Sequence, residues 1–359
     1  MSKPTRRQFL RTASVLAAGS GLALVGHADD VPNADLVTAD AQAAIDRGLI
    51  YLAGNQAGDG SFSDSRSGFG NVAITGLAGL ALMSGGHHPG RGKHGHVVGK
   101  AADYVVSRGA RSSVPGYLNN DDAQLTHGAM YQHGFGALFL AEIYGMVPDA
   151  NRQKQVRDML EKSISLTIKA QNKEGGWRYD PRPTQADVSV TVAQLMALRA
   201  ARNAGIFVPK STVDKCVEYI KGCQQADGGF CYMKNQGFAG SAFARSAAAM
   251  VGLFSAGVYE GKEIEKGLAY LVKFLPGRRV NAAEARPEHY FYGHYYAALA
   301  MWTAGGNYWA EWFPAIRDEL LGRIRNGTAW TDWHGGSYAT AMACIILQLP
   351  NNYLPIMQK

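Results

Sequence analysis

Two stretches of this chain gather side chains able to do acid–base or ligand chemistry. Asp121 and Asp122 precede a segment carrying Gln124, His127, Tyr131, Gln132 and His133. On a helix, His127 and Tyr131 are four residues apart and share one face. A carboxylate beside an imidazole there would form an acid–base pair; the plainer reading is that Asp122 caps the helix. The second stretch runs Glu288-His289-Tyr290-Phe291-Tyr292-Gly293-His294-Tyr295-Tyr296. A wall of such rings grips an apolar ligand or steadies a cation, and equally well packs a core. His87, His88, His94 and His96 crowd a glycine-rich loop that has neither acid nor thiol, so a polar loop is expected there rather than a metal site. No metal and no cofactor are expected anywhere in the chain.

The elements that position these groups follow from composition and repetition. Of 359 residues, 47% are hydrophobic, only 18% are charged and 43 are glycine. Low charge with high hydrophobicity excludes a disordered chain, and four cysteines are too few for a disulfide-stapled miniprotein. The net charge is +7, but residues 1–28 hold Lys3, Arg6, Arg7 and Arg11 and no acid. The remaining 32 basic and 29 acidic residues leave +3, too little to argue for nucleic acid.

Three segments repeat: Gln56 to Phe62, Gln171 to Trp177 and Gln224 to Phe230, each with a Gln, then a Gly, then an aromatic six residues after the Gln. Their spacing implies a repeat of about 50–58 residues and six copies. Each copy predicts two helices. Residues 41–52, 97–107, 156–170, 213–223, 264–275 and 316–324 carry an apolar stripe; Val156, Leu160, Ile164 and Ile168 show its four-residue spacing. Residues 72–83, 124–144, 188–203, 242–255, 290–303 and 338–349 are apolar all round, as a helix buried on every side must be. The expected fold is all-α, an α/α toroid of six helical hairpins closed into a double ring. The loop glycines allow a tight turn, the aromatic plugs the gap beneath it, and the Gln is expected to bond free amides at the next helix start. Trp330 and Trp333 are expected to plug the last repeat, the alternative being that they cover the barrel mouth.

These loops, the repeat length and the two-helix unit resemble the repeats of squalene and oxidosqualene cyclases and of protein prenyltransferase β subunits, most closely over residues 177–198. The resemblance implies an inner barrel that holds an isoprenoid chain, with chemistry near its mouth. Cyclases of the squalene–hopene type carry Asp-x-Asp-Asp-Thr-Ala at the start of an inner helix; here the stretch is Asp187-Val188-Ser189-Val190-Thr191-Val192. The first Asp and the Thr are kept, and Ser189 replaces the central acid. A hydroxyl is far too weak an acid to protonate an alkene, so ordinary protonation-initiated cyclisation is not expected. Carried over in this way, Asp187 joins Asp122 and His127 as catalytic candidates. Ser189, Thr191, Tyr131, His133, His289, Tyr292, His294 and Tyr295 are the expected ligand contacts. The zinc pair of the prenyltransferases has its spelling in Asp214-Lys215-Cys216, but on a striped outer helix without partners.

Thr5-Arg6-Arg7-Gln8-Phe9-Leu10 resembles the bacterial twin-arginine export signal. An apolar run and a small-residue cleavage site at Ala28 follow it. Residues 1–28 are therefore expected to be a signal peptide and residues 29–359 a single toroid domain, periplasmic or extracellular, without a transmembrane helix. The expected partner is an apolar, isoprenoid-like small molecule. The alternatives are a scaffold for another envelope protein, or a glycan-active enzyme drawing two carboxylates from Asp122, Asp187, Glu288 and Asp332.

Overall fold

The computed structural model describes residues 36–358, apart from 64, 66–67, 121–127, 235–239, 278–288 and 325–326. Among the described residues there are twelve α-helices and no strand beyond isolated bridges. In chain order they are α1 (Ala39–Gly54), α2 (Val72–Ser84), α3 (Gly95–Arg111), α4 (Ala129–Ile143), α5 (Ala150–Lys169), α6 (Val188–Asn203), α7 (Lys210–Lys221), α8 (Phe243–Ser255), α9 (Lys262–Val272), α10 (Tyr290–Ala304), α11 (Gly306–Ile324) and α12 (Gly336–Leu347).

The even-numbered helices form the inner ring. Each packs on the next, and α12 packs on α2. Gln348 Nε2 donates to Ala81 O at 3.0 Å and Ser65 N to His334 O at 3.2 Å across that seam, which closes the ring. The inner helices are buried almost all round, as their uniform apolarity demands. The odd-numbered helices bury one stripe each against them; in α5 it is Val156, Leu160 and Ile164, with Met159, Ser163 and Thr167 alongside. Several starts are set by side-chain caps that satisfy otherwise orphaned amides: Thr38 on Ala41 N, Asn71 on Ala73 and Ile74 N, Asp149 on Arg152 N, Asp187 on Val190 N.

Two expectations are corrected. The sixth outer helix starts at Gly306, ten residues before the expected 316, because Trp309, Trp312 and Phe313 extend its buried stripe and Pro314 lies within it. The loop glutamines bond carbonyls rather than amides. Gln56, Gln171 and Gln224 each donate from Nε2 to the Gly carbonyl of their own loop (3.0, 2.8 and 3.1 Å) and to a carbonyl in the first turn of the next outer helix: Val97 (2.9 Å), Thr212 (2.8 Å) and Glu263 (2.8 Å). An amide NH2 has two donors, which is why one Gln staples a loop to the following helix.

At the end of the barrel away from these loops, two 3-10 turns, Leu349–Asn351 and Pro355–Met357, cross the ring. Trp302 Nε1 donates to Met357 O (2.7 Å), Arg199 to Gln358 O (2.9 Å), and Ile356 N to the buried carboxylate of Glu142 (3.2 Å). This ties α4, α6 and α10 together. No helix among the described residues is long and apolar enough to cross a membrane.

Candidate functional site

One position on each inner helix serves the loop beside it. The backbone N–H of Phe62 donates to Thr75 Oγ1 (2.9 Å), Trp177 to Thr191 (3.0 Å), Phe230 to Ser246 (2.8 Å) and Trp330 to Thr340 (3.1 Å). In the second repeat His133 takes this place: its Nδ1 accepts from Leu118 N (3.2 Å). The proton must then sit on Nε2, which donates to Thr167 Oγ1 (2.9 Å), while Thr167 donates to Ser163 O (3.1 Å). Burial pushes His133 down to about 4, so the ring is neutral. His294 stands at the matching point of α10, likewise pushed down to about 4 by burial, and packs against Phe243, Tyr290 and Trp312. Replacing His133 with alanine would leave Leu118 N–H buried without a partner and open a cavity. It is expected to cost about 3 kcal/mol, read as a lower midpoint in denaturant titration.

Two residues earlier on a helix is a rotation of about 200°, so the side chain there faces the barrel axis instead of the loop. These six positions are Ala73, Tyr131, Ser189, Ala244, Tyr292 and Tyr338. Ala73, Tyr131, Tyr292 and Tyr338 are partly exposed, whereas Ser189 and Ala244 are buried like most of their neighbours on the inner helices. The phenols of Tyr131 on α4 and Tyr292 on the opposite α10 both approach the Ser189 hydroxyl. Tyr292 stacks edge-on with Tyr296, 4.7 Å between centroids, and Tyr338 lies near it. Desolvation pushes the Tyr131 and Tyr292 phenols up although both rings remain accessible. The Tyr292 and Tyr296 hydroxyls and Asp187 Oδ2 are buried and make no hydrogen bond within 3.5 Å, although Ser189, Tyr131 and Tyr296 neighbour the Tyr292 hydroxyl and Tyr232 neighbours Asp187.

Asp187 caps α6 at this mouth. Its Oδ1 accepts from Val190 N at 2.9 Å, and its own N–H donates to Trp177 O at 3.0 Å. Burial pushes its carboxyl up to about 6; the Val190 amide and Arg178 restrain the rise. The loops add two further phenols. Tyr179 and Tyr232 share a short hydroxyl–hydroxyl hydrogen bond, and Tyr232 lies beside Asp187. Both tyrosines stand two residues past the loop aromatic, so an alignment of the third and fourth repeats exposes them.

The structure therefore brings Asp187, Ser189, Tyr131 and Tyr292 together at the mouth, with Tyr295 buried one turn deeper on α10. It turns His133 and Thr191 away, each spent on its loop, and leaves His289 exposed in a left-handed conformation ahead of α10. Asp122, His127 and Glu288 lie outside the described residues. Trp330 plugs the last repeat through Nε1 to Leu320 O (3.0 Å), as Trp177 does to Thr167 O (2.7 Å); Trp333, expected to plug it too, does not, being 72% exposed. Asp214 faces Lys210 on the surface of α7 whereas Cys216 is buried, so the two do not converge. Among the described residues no three His, Cys, Asp or Glu side chains form a metal set.

The fold is an α/α toroid, and part of the sequence is similar to squalene cyclases. The sequence model of the squalene–hopene cyclase C-terminal domain matches residues 139–295, which contain Asp187 and Ser189. No curated protein matches the sequence. Among solved structures, a variant of the type II terpene cyclase MstE from Scytonema, in complex with merosterolic acid A, superposes with a TM-score of 0.59 at 15% identity, over 87% of this chain and 97% of that one. The α-1,6-mannanase GH76A of Salegentibacter sp., an inactive variant with α-1,6-mannotriose, superposes at 0.60 with 10% identity, covering 86% and 98%. Cellobiose 2-epimerase from Bacillus thermoamylovorans superposes at 0.63 with 10% identity, covering 89% and 100%. At these identities the likeness is one of fold.

Proposed function

We propose that the barrel mouth binds an isoprenoid-like apolar molecule whose polar or unsaturated end rests on the Tyr131–Ser189–Tyr292 floor beside Asp187. The observation that carries this reading is the axial position itself: three of six equivalent sites are tyrosine, and buried hydroxyl and carboxyl oxygens there make no hydrogen bond. Aromatic faces suit an apolar, polarisable chain, and unpaired donors suit one polar end. The MstE structures hold a terpenoid product and a geranylgeranyl-bearing substrate in the same fold. Protonation of an alkene is not part of the proposal, because the axial group on α6 is the hydroxyl of Ser189.

Titration of the full chain with geranylgeraniol, followed by tyrosine and tryptophan fluorescence and by native mass spectrometry, tests it. Saturable one-to-one binding is expected, weakened about tenfold or more by Tyr131→Ala and by Ser189→Phe. Equal affinity for mannotriose, or geranylgeraniol binding indifferent to both substitutions, would transfer the site to the glycan-active reading.

We also propose export by the twin-arginine route, supported by the order of charge, apolar run and cleavage site in residues 1–28. Protein recovered from its own host is expected to begin near Asp29 by intact mass. The joint substitution Arg6→Lys, Arg7→Lys is expected to leave it uncleaved in the cytoplasm.

A further inference from the structure

The loop between α7 and α8 carries two cysteines that no part of the binding site uses. Gln224 and Phe230 form an isolated antiparallel bridge, so Cys223 and Cys231 are the next opposed pair in the same register. Cys231 N donates to Cys223 O at 2.9 Å, which confirms that register. Directly opposed residues of an antiparallel pair have Cα atoms about 4.5–5.5 Å apart and side chains on the same side. That separation lies within the range a disulfide spans, about 4.4–6.8 Å. Both thiols are buried, neighbour each other and are unbonded in this structure, the Cys231 thiol donating to Met233 O at 3.3 Å. The other two cysteines are poorly placed to compete. Cys216 is seven residues back along the chain from Cys223, about 10 Å along a helix axis, and Cys344 lies on α12 against Gly48 of α1.

The surroundings connect this pair to the mouth. Cys231 precedes Tyr232, whose carbonyl accepts from Val188 N at 3.0 Å and whose phenol lies beside Asp187. Cys223 touches the Tyr219 phenol, and Tyr219 donates to Ala186 O at 2.6 Å. Residues 186 and 188, on either side of Asp187, are thus anchored by groups adjoining the two thiols.

We propose that Cys223 and Cys231 form a disulfide that closes the fourth-repeat loop and fastens the backbone around Asp187. In the step, one thiolate attacks the sulfur of a disulfide oxidant such as oxidised glutathione, expelling one glutathione thiolate and leaving a mixed disulfide. The second cysteine displaces the other glutathione. One S–S bond forms and one breaks; the two cysteines lose two protons and two electrons, and the oxidant leaves as two reduced thiols. Burial pushes the Cys223 thiol up to about 12, so exchange in the closed loop is slow, and the bond forms when the loop opens in the oxidising compartment that the proposed export reaches. The proposal concerns covalent state and holds whatever the mouth binds.

The test refolds the full chain in glutathione buffers of graded redox poise, then alkylates it under denaturing conditions and maps it without reduction. Two alkylated cysteines, Cys216 and Cys344, are expected, together with a linked peptide pair containing Cys223 and Cys231. Hydrogen–deuterium exchange at Val188 N–H is expected to slow several-fold in the oxidised form. The Cys223→Ala, Cys231→Ala chain is expected to lose that dependence on reductant. Four free thiols at an oxidising poise, a bond to Cys216 or Cys344, or Val188 exchange equal in both forms would overturn the proposal.

Discussion

Gly175→Ala is expected to lower the melting temperature by about 10 °C or to leave the chain insoluble, a large effect for a single added methyl group. Gly175 has φ of +97°, a conformation that costs an L-residue about 1–3 kcal/mol. A Cβ there would also stand 2.3 Å from the carbonyl oxygen of Lys215, inside helix α7, where the obstacle is backbone and cannot swing aside. The helix must retreat, and Gln171 then loses its grip on Thr212 O. The same contact recurs at Gly60 against Lys100 O (2.3 Å) and at Gly228 against Lys266 O (2.4 Å), so the glycine is what lets each loop press on the next outer helix. Gly58, in the first loop, has open space around it, and Gly58→Ala is the control, expected to shift stability by under about 1 kcal/mol. Thermal melts of the two variants decide the matter; coincident melting curves would remove the loop–helix contact from the account of the fold.

Glu142→Gln is expected to stabilise the protein at alkaline pH and to make no difference near pH 4.5. Glu142 is buried on α4, with Ile356 N–H on one oxygen, Arg199 near it and Tyr295 facing it from α10. Burial pushes its carboxyl from 4.5 up to about 7; the Ile356 amide and Arg199 oppose that rise. Because the folded value is the higher one, the folded chain keeps a proton that the unfolded chain has released. The stability contributed by the neutral carboxyl is therefore complete below about pH 4.5 and disappears as pH rises through 7. A glutamine never ionises and shows no such loss. The gap between variant and parent should open between pH 5 and 8 to about 3 kcal/mol, from about 1.4 kcal/mol per pH unit over the span from 4.5 to about 7. His133 and His294, pushed down to about 4, lose stability in the opposite direction as pH falls below 6.5, but equally in both proteins, so they cancel in the difference. Denaturant midpoints measured at half-unit steps of pH provide the comparison. A gap that stays constant with pH would mean that Glu142 releases its proton at the same pH in the folded and unfolded chains.

The disposition of tyrosines shows where reading along the chain stops. Tyr131, Tyr292 and the Asp187–Ser189 pair stand out by type, and the structure joins them. His133, Thr191 and His294 stand out equally, and the structure gives the first two to loop amides. Nothing local distinguishes Tyr131 from His133, because both lie in one apolar helix without a stripe to show which side is which. The repeat does distinguish them, since His133 aligns with Thr75, Thr191 and Ser246, which take loop N–H groups. Tyr179 and Tyr232 are visible in the same way, 53 residues apart like Gln171 and Gln224.

Order and type of elements belong to the sequence alone. Striped segments alternate with uniformly apolar ones, because a helix with one wet side must be patterned and a helix with none need not be, and glycine with an aromatic marks the turn in three of the six repeats. Ring closure, the pairing of Glu142 with Ile356 across 214 residues, and the meeting of Tyr131 with Tyr292 from opposite helices belong to the tertiary structure. Only the packing of six hairpins about one axis sets which side chains face it, and burial at that axis, more than residue type, moves the Asp187 and Glu142 carboxyls toward neutrality.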